Sequence, residues 1–136
     1  MTIAGVGIDI ASVTRMSSVL DRYGGRLERR WFDRLEIDQS GSKQVCLARS
    51  FAVKEAVWKA LPHASGAPLP WRDIVAHTTS GDRQITVVLR GRVAREAHEH
   101  GVDAIVASAD VLGDLVLAVA VVVRSPAAQS PAAVDP

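Results

Sequence analysis

LARSFAVKEAVWKAL, residues 47–61, is the stretch that organises the rest of this chain. At about 100° per residue, Leu47, Phe51, Val53, Val57, Trp58, Ala60 and Leu61 gather on one broad apolar arc, which predicts an amphipathic helix. The pattern reaches back to about Lys43 and is stopped by Pro62, so it is the longest helical segment in the sequence. Lys54 falls inside the arc, one turn before Trp58. Such a lysine either snorkels along its stem or needs an anion beside it, because an unpaired buried ammonium is costly. Glu55 lies at the edge of the arc with Lys59 one turn further on. At that spacing the two form a solvated salt bridge in the favoured order, unless another element recruits them.

The partner element lies near the N-terminus, in GVGIDI, residues 5–10. Alternation at period two predicts a strand with Ala4, Val6, Ile8 and Ile10 on the buried face and Gly5, Gly7 and Asp9 on the other. Glycine inside a strand marks a place where another backbone or a ligand comes close, so the bare face ending in Asp9 reads as a floor. Read blandly, Asp9 is a turn-forming or helix-capping residue.

Between and beyond these two stretches the pattern is α+β. Ser12 is placed to cap a helix through about Leu20, with Val13, Met16 and Leu20 as its stripe, and Gly24-Gly25 breaks it. RLERRWFDRLEI (26–37) continues as one or two short helices, QSGSKQ (39–44) is a loop, and PHASGAPLPWR (62–72) is loop by composition. Strands follow in DIVAHTT (73–79) and RQITVVLRG (83–91), around a turn at Gly81-Asp82. RVAREAHEHG (92–101) is a short helix ended by Gly101, and VDAIVASAD (102–110) and DLVLAVAVVV (114–123) are two further strands, joined near Leu112-Gly113. The last is apolar throughout, as expected of a central strand covered on both faces. The expected architecture is an N-terminal strand and helices, one of them long, packed on a mostly antiparallel sheet. Residues 1–124 form one domain, and 125–136, rich in Pro, Ala and Ser, form a tail with nothing to bury.

Composition narrows the function classes. The 136 residues are 48% hydrophobic and 23% charged, and sixteen basic against fifteen acidic residues leave a net charge of +1. No global charge points to nucleic acid. No apolar run reaches the roughly 18 residues of a membrane span, and the N-terminus lacks a signal-like core. Cys46 is the lone cysteine, with apolar neighbours, which fits a buried thiol in a reducing cytoplasm. His63, His77, His98 and His100 show no zinc-like spacing with it. Of sixteen basic residues only Lys43, Lys54 and Lys59 are lysines, and two of these lie within six residues of each other. A chain so biased toward arginine that keeps lysine twice there points to a need for compact point charges.

Two carboxylates on separate elements, Asp9 and Glu55, with lysines beside one of them, suit Mg²⁺. That ion takes hard oxygen ligands, keeps several waters and completes its shell with a substrate's phosphates, while lysines balance the remaining phosphate charge.

GVGIDIASVTRM (5–16) together with FAVKEAVWKAL (51–61) resembles the holo-acyl-carrier-protein synthase family of 4′-phosphopantetheinyl transferases, whose motifs are G-x-G-x-D on a strand and F-A-x-K-E-A-x-x-K-A on a long helix. WFDRLE, WRDIVAH and VVLRGRVAREAHEHGV are similar to further family segments, so the resemblance covers about residues 3–123. It implies transfer of the phosphopantetheine arm of coenzyme A to a serine of an apo acyl carrier protein, with release of adenosine 3′,5′-bisphosphate. By resemblance Asp9 and Glu55 hold Mg²⁺, Lys59 contacts phosphate and acts in catalysis with them, and Lys54 supports the coenzyme site. Gly66 and Asp110 fall at coenzyme-binding positions of the family pattern. The general base is either Glu55 or a metal-held water. The resemblance further implies a cytoplasmic homotrimer with sites at the subunit interfaces, and an acidic carrier helix docking on Arg15, Arg22 and Arg26. The carrier is of fatty-acid or polyketide/peptide type.

The chain departs from the family pattern at three places. Ser50 stands where many members carry Arg, with Arg49 one residue earlier; PHASGAP (62–68) replaces a G-T-G-like turn; and Ile105 in IVASAD (105–110) replaces a His. These changes would suit a non-catalytic relative that binds carrier proteins or scaffolds a complex. Retention of Asp9, Glu55 and Lys59 speaks against that alternative, since a binder needs none of them.

Overall fold

A single serine turns the first strand into the first helix. Ser12 Oγ accepts from the Arg15 N–H at 3.1 Å and donates at 2.6 Å to Asp114, whose carboxylate also accepts from the Thr14 N–H. The cap read from sequence is thus reinforced from a turn 100 residues away. The computed structural model describes residues 1–63, 67–78 and 84–126. In order, its elements are β1 (Thr2–Ser12), α1 (Val13–Trp31), α2 (Arg34–Ile37), α3 (Lys43–Ala60), β2 (Ile74–Thr78), β3 (Ile85–Leu89), α4 (Gly91–Glu99), β4 (Val102–Leu112) and β5 (Leu115–Arg124). Gly24, at φ 56°, kinks α1 where the sequence predicts a break. The architecture is the expected α+β, with one refinement: the strands form two antiparallel sheets, β1-β5-β4 and β2-β3. The turn expected at Gly81-Asp82 and most of the tail lie outside the described residues.

The strand–helix packing reverses one expectation. Gly5 and Gly7 face α3, whereas Val6, Ile8 and Ile10 are 54%, 55% and 61% exposed. A Cβ on Gly7 would lie 1.9 Å from the Ala56 carbonyl oxygen, and one on Gly5 2.0 Å from that of Ala60. The backbone that comes close to the bare face is therefore that of α3, and a side chain on either glycine would hold the helix off the sheet. Ala4, beside a register shift at Ile3/Gly5, still packs against the core as expected.

The helix is correspondingly less one-sided than its apolar arc suggests. Leu47, Val53 and Val57 are fully buried, and so are Ala48, Ala52 and Ala56, whose small side chains let the helix lie close to its neighbours. In β5, central as predicted, Val116, Ala118, Ala120 and Val122 are buried against this layer, but Leu115 and Leu117 are 50% and 39% exposed. Within one chain only one face of that strand is covered. The other continues across the sheet in rows such as Val6–Val121–Val106, and Ile8 and Ile10 stand opposite Val119 and Leu117.

Gly7→Ala tests the close approach directly. It should destabilise the fold by about 3 kcal/mol, the upper range for overpacking a site that cannot yield, read as a lowered urea midpoint. An unchanged midpoint would mean that α3 does not press on this strand.

Candidate active site

Because α3 lies on the glycines, with Gly5 at Ala60 and Gly7 at Ala56, Asp9, two residues further along the same face, comes within reach of the Lys59 side chain. Lys59 Nζ donates to Asp9 Oδ1 at 2.8 Å and to the Ile8 carbonyl at 3.1 Å. The ion pair of Lys59 is thus with Asp9, across two elements, rather than with Glu55 one turn before it. Glu55 is half-buried on the same helix, and its carboxyl is held above the ordinary carboxylate value. Burial is the larger cause; the charge of Asp9 adds to it, and Lys59 opposes both. Asp9 and Lys59 are thus paired, with Glu55 near enough to feel both charges.

The donor set fits a divalent cation. Two carboxylates repel one another here with one lysine in partial compensation, and a cation between them would relieve that repulsion. Among the described residues no group of three or more His, Cys, Asp or Glu is placed to hold a metal. Two carboxylates alone suit an ion that draws its other ligands from water and substrate phosphates.

Lys54 has a different position from the one its place in the motif suggests. It is 0% exposed, and its ammonium donates to Glu36 Oε2 at 2.8 Å, to the Trp71 carbonyl at 2.9 Å and to the Trp31 carbonyl. An ammonium has three protons, and these bonds engage all of them, so the expected support of a coenzyme through Lys54 is replaced by an internal ion pair. Burial pushes Glu36 up and Lys54 down, and their mutual attraction opposes both shifts. Glu36 also accepts from the N–H groups of Asp33 and Ala76, the former within a capping box at α2. The D-x-x-E of FDRLE carries the signal for that box, but its reach to Lys54 is tertiary and has no local mark.

The model of the 4′-phosphopantetheinyl transferase superfamily matches residues 5–120. The chain belongs to that superfamily. The transferase is 36% identical over 124 residues to the holo-[acyl-carrier-protein] synthase of Desulforudis audaxviator, covering 89% of this chain and 93% of that one. Its fold superposes on the crystal structure of holo-[acyl-carrier-protein] synthase from Neisseria meningitidis with a TM-score of 0.79 at 25% identity, over 90% of this chain and 100% of the other. The Helicobacter pylori synthase in complex with coenzyme A matches with a TM-score of 0.73 at 27% identity, over 87% and 99%.

The remaining expected site residues lie apart from the cluster. Asp110 is on β4 opposite Leu117, one register from the Asp9 row but on the outward face, beside a cavity of about 400 Å³ that it shares with Arg49, Thr78 and Ser108. Gly66 lies outside the described residues. Ser50, at the place of the family's Arg, is buried and donates to the Ala76 carbonyl at 2.8 Å, so an arginine there would have to leave the core. Arg15, Arg22 and Arg26 are all exposed on α1. Arg26 borders a groove of about 980 Å³ between α1 and the 67–73 segment, with Arg30 and Arg72 on its rim and Leu27, Trp31 and Trp71 on its walls. That groove has no local signature, because its two sides are about 40 residues apart in the chain.

A raised Glu55 gives a signed expectation. A carboxyl whose folded-state value lies above its unfolded one stabilises fully below the unfolded value, and that contribution is lost as pH rises through the folded one. At neutral pH ionised Glu55 thus costs stability in the metal-free protein. Glu55→Gln should melt higher than wild type at neutral pH, and the gap should close toward acid pH while transfer is lost. Equal or lower melting at neutral pH would remove the carboxylate repulsion from this account.

Proposed function

We propose that the transferase moves the 4′-phosphopantetheine arm of coenzyme A onto a serine of an apo acyl carrier protein, using Mg²⁺. The observation that carries this reading is the meeting of Asp9, Glu55 and Lys59 at the junction of β1 and α3. In the reaction the serine Oγ attacks the phosphorus that bears the pantetheine arm. The P–O bond to the other phosphate breaks, adenosine 3′,5′-bisphosphate leaves, and the serine proton passes to a base. Asp9 and Glu55 would hold the metal, which when bound supplies polarisation of the phosphoryl group and neutralisation of the leaving group. Lys59, half-exposed beside Asp9, places a compact positive charge where phosphate oxygens gather negative charge. The base that takes the serine proton is either Glu55 or a water held by the metal.

The carrier reading rests on α1 and the groove beside it. Exposed Arg15 and Arg22 lead to Arg26, Arg30 and Arg72 around an apolar floor, a surface suited to an acidic, amphipathic helix. A homotrimer is supported by the uncovered apolar face of β1-β5-β4, where Val6, Ile8, Ile10, Val106 and Leu112 are exposed together. In such an assembly Asp110, on that outward face, would serve a site shared with a neighbouring copy. Light scattering of the purified protein checks the assembly: three chain masses are expected, and a monomer would overturn it. Among the described residues no helix is long and apolar enough to cross a membrane. We place the reaction in the cytoplasm, with carriers of fatty-acid or polyketide/peptide type as the substrates.

The decisive experiment incubates the protein with coenzyme A, Mg²⁺ and a panel of apo carrier proteins, and weighs each carrier by mass spectrometry. One phosphopantetheine should be added, chelation should stop the addition, and Asp9→Asn should abolish it in a folded protein. Arg15→Glu should raise KM for the carrier about tenfold while leaving KM for coenzyme A unchanged, and added salt should shrink the difference. No mass gain on any carrier at saturating coenzyme A would overturn the transferase reading in favour of a carrier-binding scaffold.

A further inference from the structure

The buried ion pair is not used by the chemistry just described, yet it is the most heavily bonded polar group in the core. We infer that Lys54 and Glu36 are positioning residues for carrier docking: their ion pair fixes Trp31 and Trp71 in the ring stack that walls the arginine-rimmed groove. This rests on the reading of that groove as the carrier's site.

The two tryptophans come from segments that no backbone ladder joins. Trp31 ends α1 and Trp71 lies in the turn before β2, yet both carbonyls accept from the one Lys54 ammonium. The Trp31 carbonyl is among the last of its helix, which have no partner within the helix, and a cation there is favoured by the helix dipole. Above this anchor the indole rings stack at 4.9 Å and 18°, and Phe51 of α3 adds a third ring 5.0 Å from Trp71. Both tryptophan side chains are half-buried, so the stack is a wall of the groove as well as part of the interior. A second latch crosses the same gap: Arg72 donates to the Arg29 carbonyl at 2.6 Å.

Stability alone does not account for such a pair. Buried ion pairs commonly add little over apolar residues of the same size. What Lys54 specifies is geometry, since it tolerates only one distance between the two chain segments, and that distance sets the width of the groove. The Lys54 nitrogen also sits 5.0 Å over the buried Phe32 ring, which leaves it little room to shift. On α3, position 54 thus serves the carrier and position 55 the phosphoryl centre.

The test replaces both charges at once with Lys54→Met/Glu36→Gln, which leaves no orphaned charge and retains an acceptor at position 36. Two readouts are taken: the exciton couplet of the stacked indoles in circular dichroism, and steady-state transfer with each substrate varied. The couplet should be lost and KM for the carrier should rise about tenfold, while kcat and KM for coenzyme A stay within about threefold. Trp71→Ala should give the same split with the ion pair intact. Should the double variant fail to fold, Glu36→Gln alone carries the same expectation. A retained couplet, or a fall in kcat with a rise in KM for coenzyme A, would overturn the proposal and return Lys54 to the phosphate centre. A wild-type protein that transfers no arm would defeat the functional reading instead; titration of carrier against wild type and variant would then still decide the positioning role.

Discussion

The close approach of α3 to β1 is the constraint on which the rest of this structure depends. Two glycines leave no atoms between the strand and the Ala56 and Ala60 carbonyls, so helix and sheet meet backbone to backbone. That contact brings Asp9 to Lys59, aligns Glu55 beside them, and turns the branched side chains of β1 to the opposite face of the sheet. Site and outer apolar face are therefore two results of one packing decision. A strand with larger side chains on its inner face would keep its hydrogen bonds to β5 and still lose the cluster, because the helix would stand too far away.

A helix enclosed in this way has almost no neutral surface. Around α3 the alanines face the sheet, Leu47, Val53 and Val57 fill the core, and Ser50 and Lys54 each bind carbonyls of other segments. Within its central and last turns only Lys59 is exposed, and it is bonded to Asp9. Consecutive side chains on a helix point about 100° apart, which is why residues 54 and 55 address different neighbours although they are adjacent in sequence. The helix links the groove walled by Trp31 and Trp71 on one side to a charged cluster on the other by rigidity alone.

How far the sequence could be read follows from which of these relations are local. The Ser12 cap, the break at Gly24, the span of α3 before Pro62 and the central place of β5 each rest on chemistry within a few residues, and all were legible. Period two told which residues of β1 share a face but not which face is covered, because that depends on what packs there. The apolar rule pointed Val6, Ile8 and Ile10 inward, and the glycines took the inside instead. Lys54 had either to snorkel or to find an anion, and that anion, Glu36, is 18 positions upstream and reads locally as half of a capping box. The Trp31–Trp71 stack joins residues 40 apart through a lysine on a third element, and nothing in either neighbourhood marks it.

The departures from the family pattern fall where this architecture can absorb them. Ser50 replaces a long cation with a small donor inside the core, and Arg49, one position away, reaches a cavity shared with Ser108 and Asp110 rather than the Asp9 cluster. Ile105 lies on β4, packed against the core and separated from β1 by β5. None of these positions belongs to the group of Asp9, Glu55 and Lys59 proposed to face the reacting phosphate. Interactions made at the reacting centre are the ones able to strengthen in the transition state, whereas those at the far end of a substrate mainly hold it in place. On the proposed reading, a chain that varies its remote contacts while keeping Asp9 and Lys59 paired beside Glu55 retains the part of the site where transition-state stabilisation is concentrated, and varies the part proposed to hold the nucleotide.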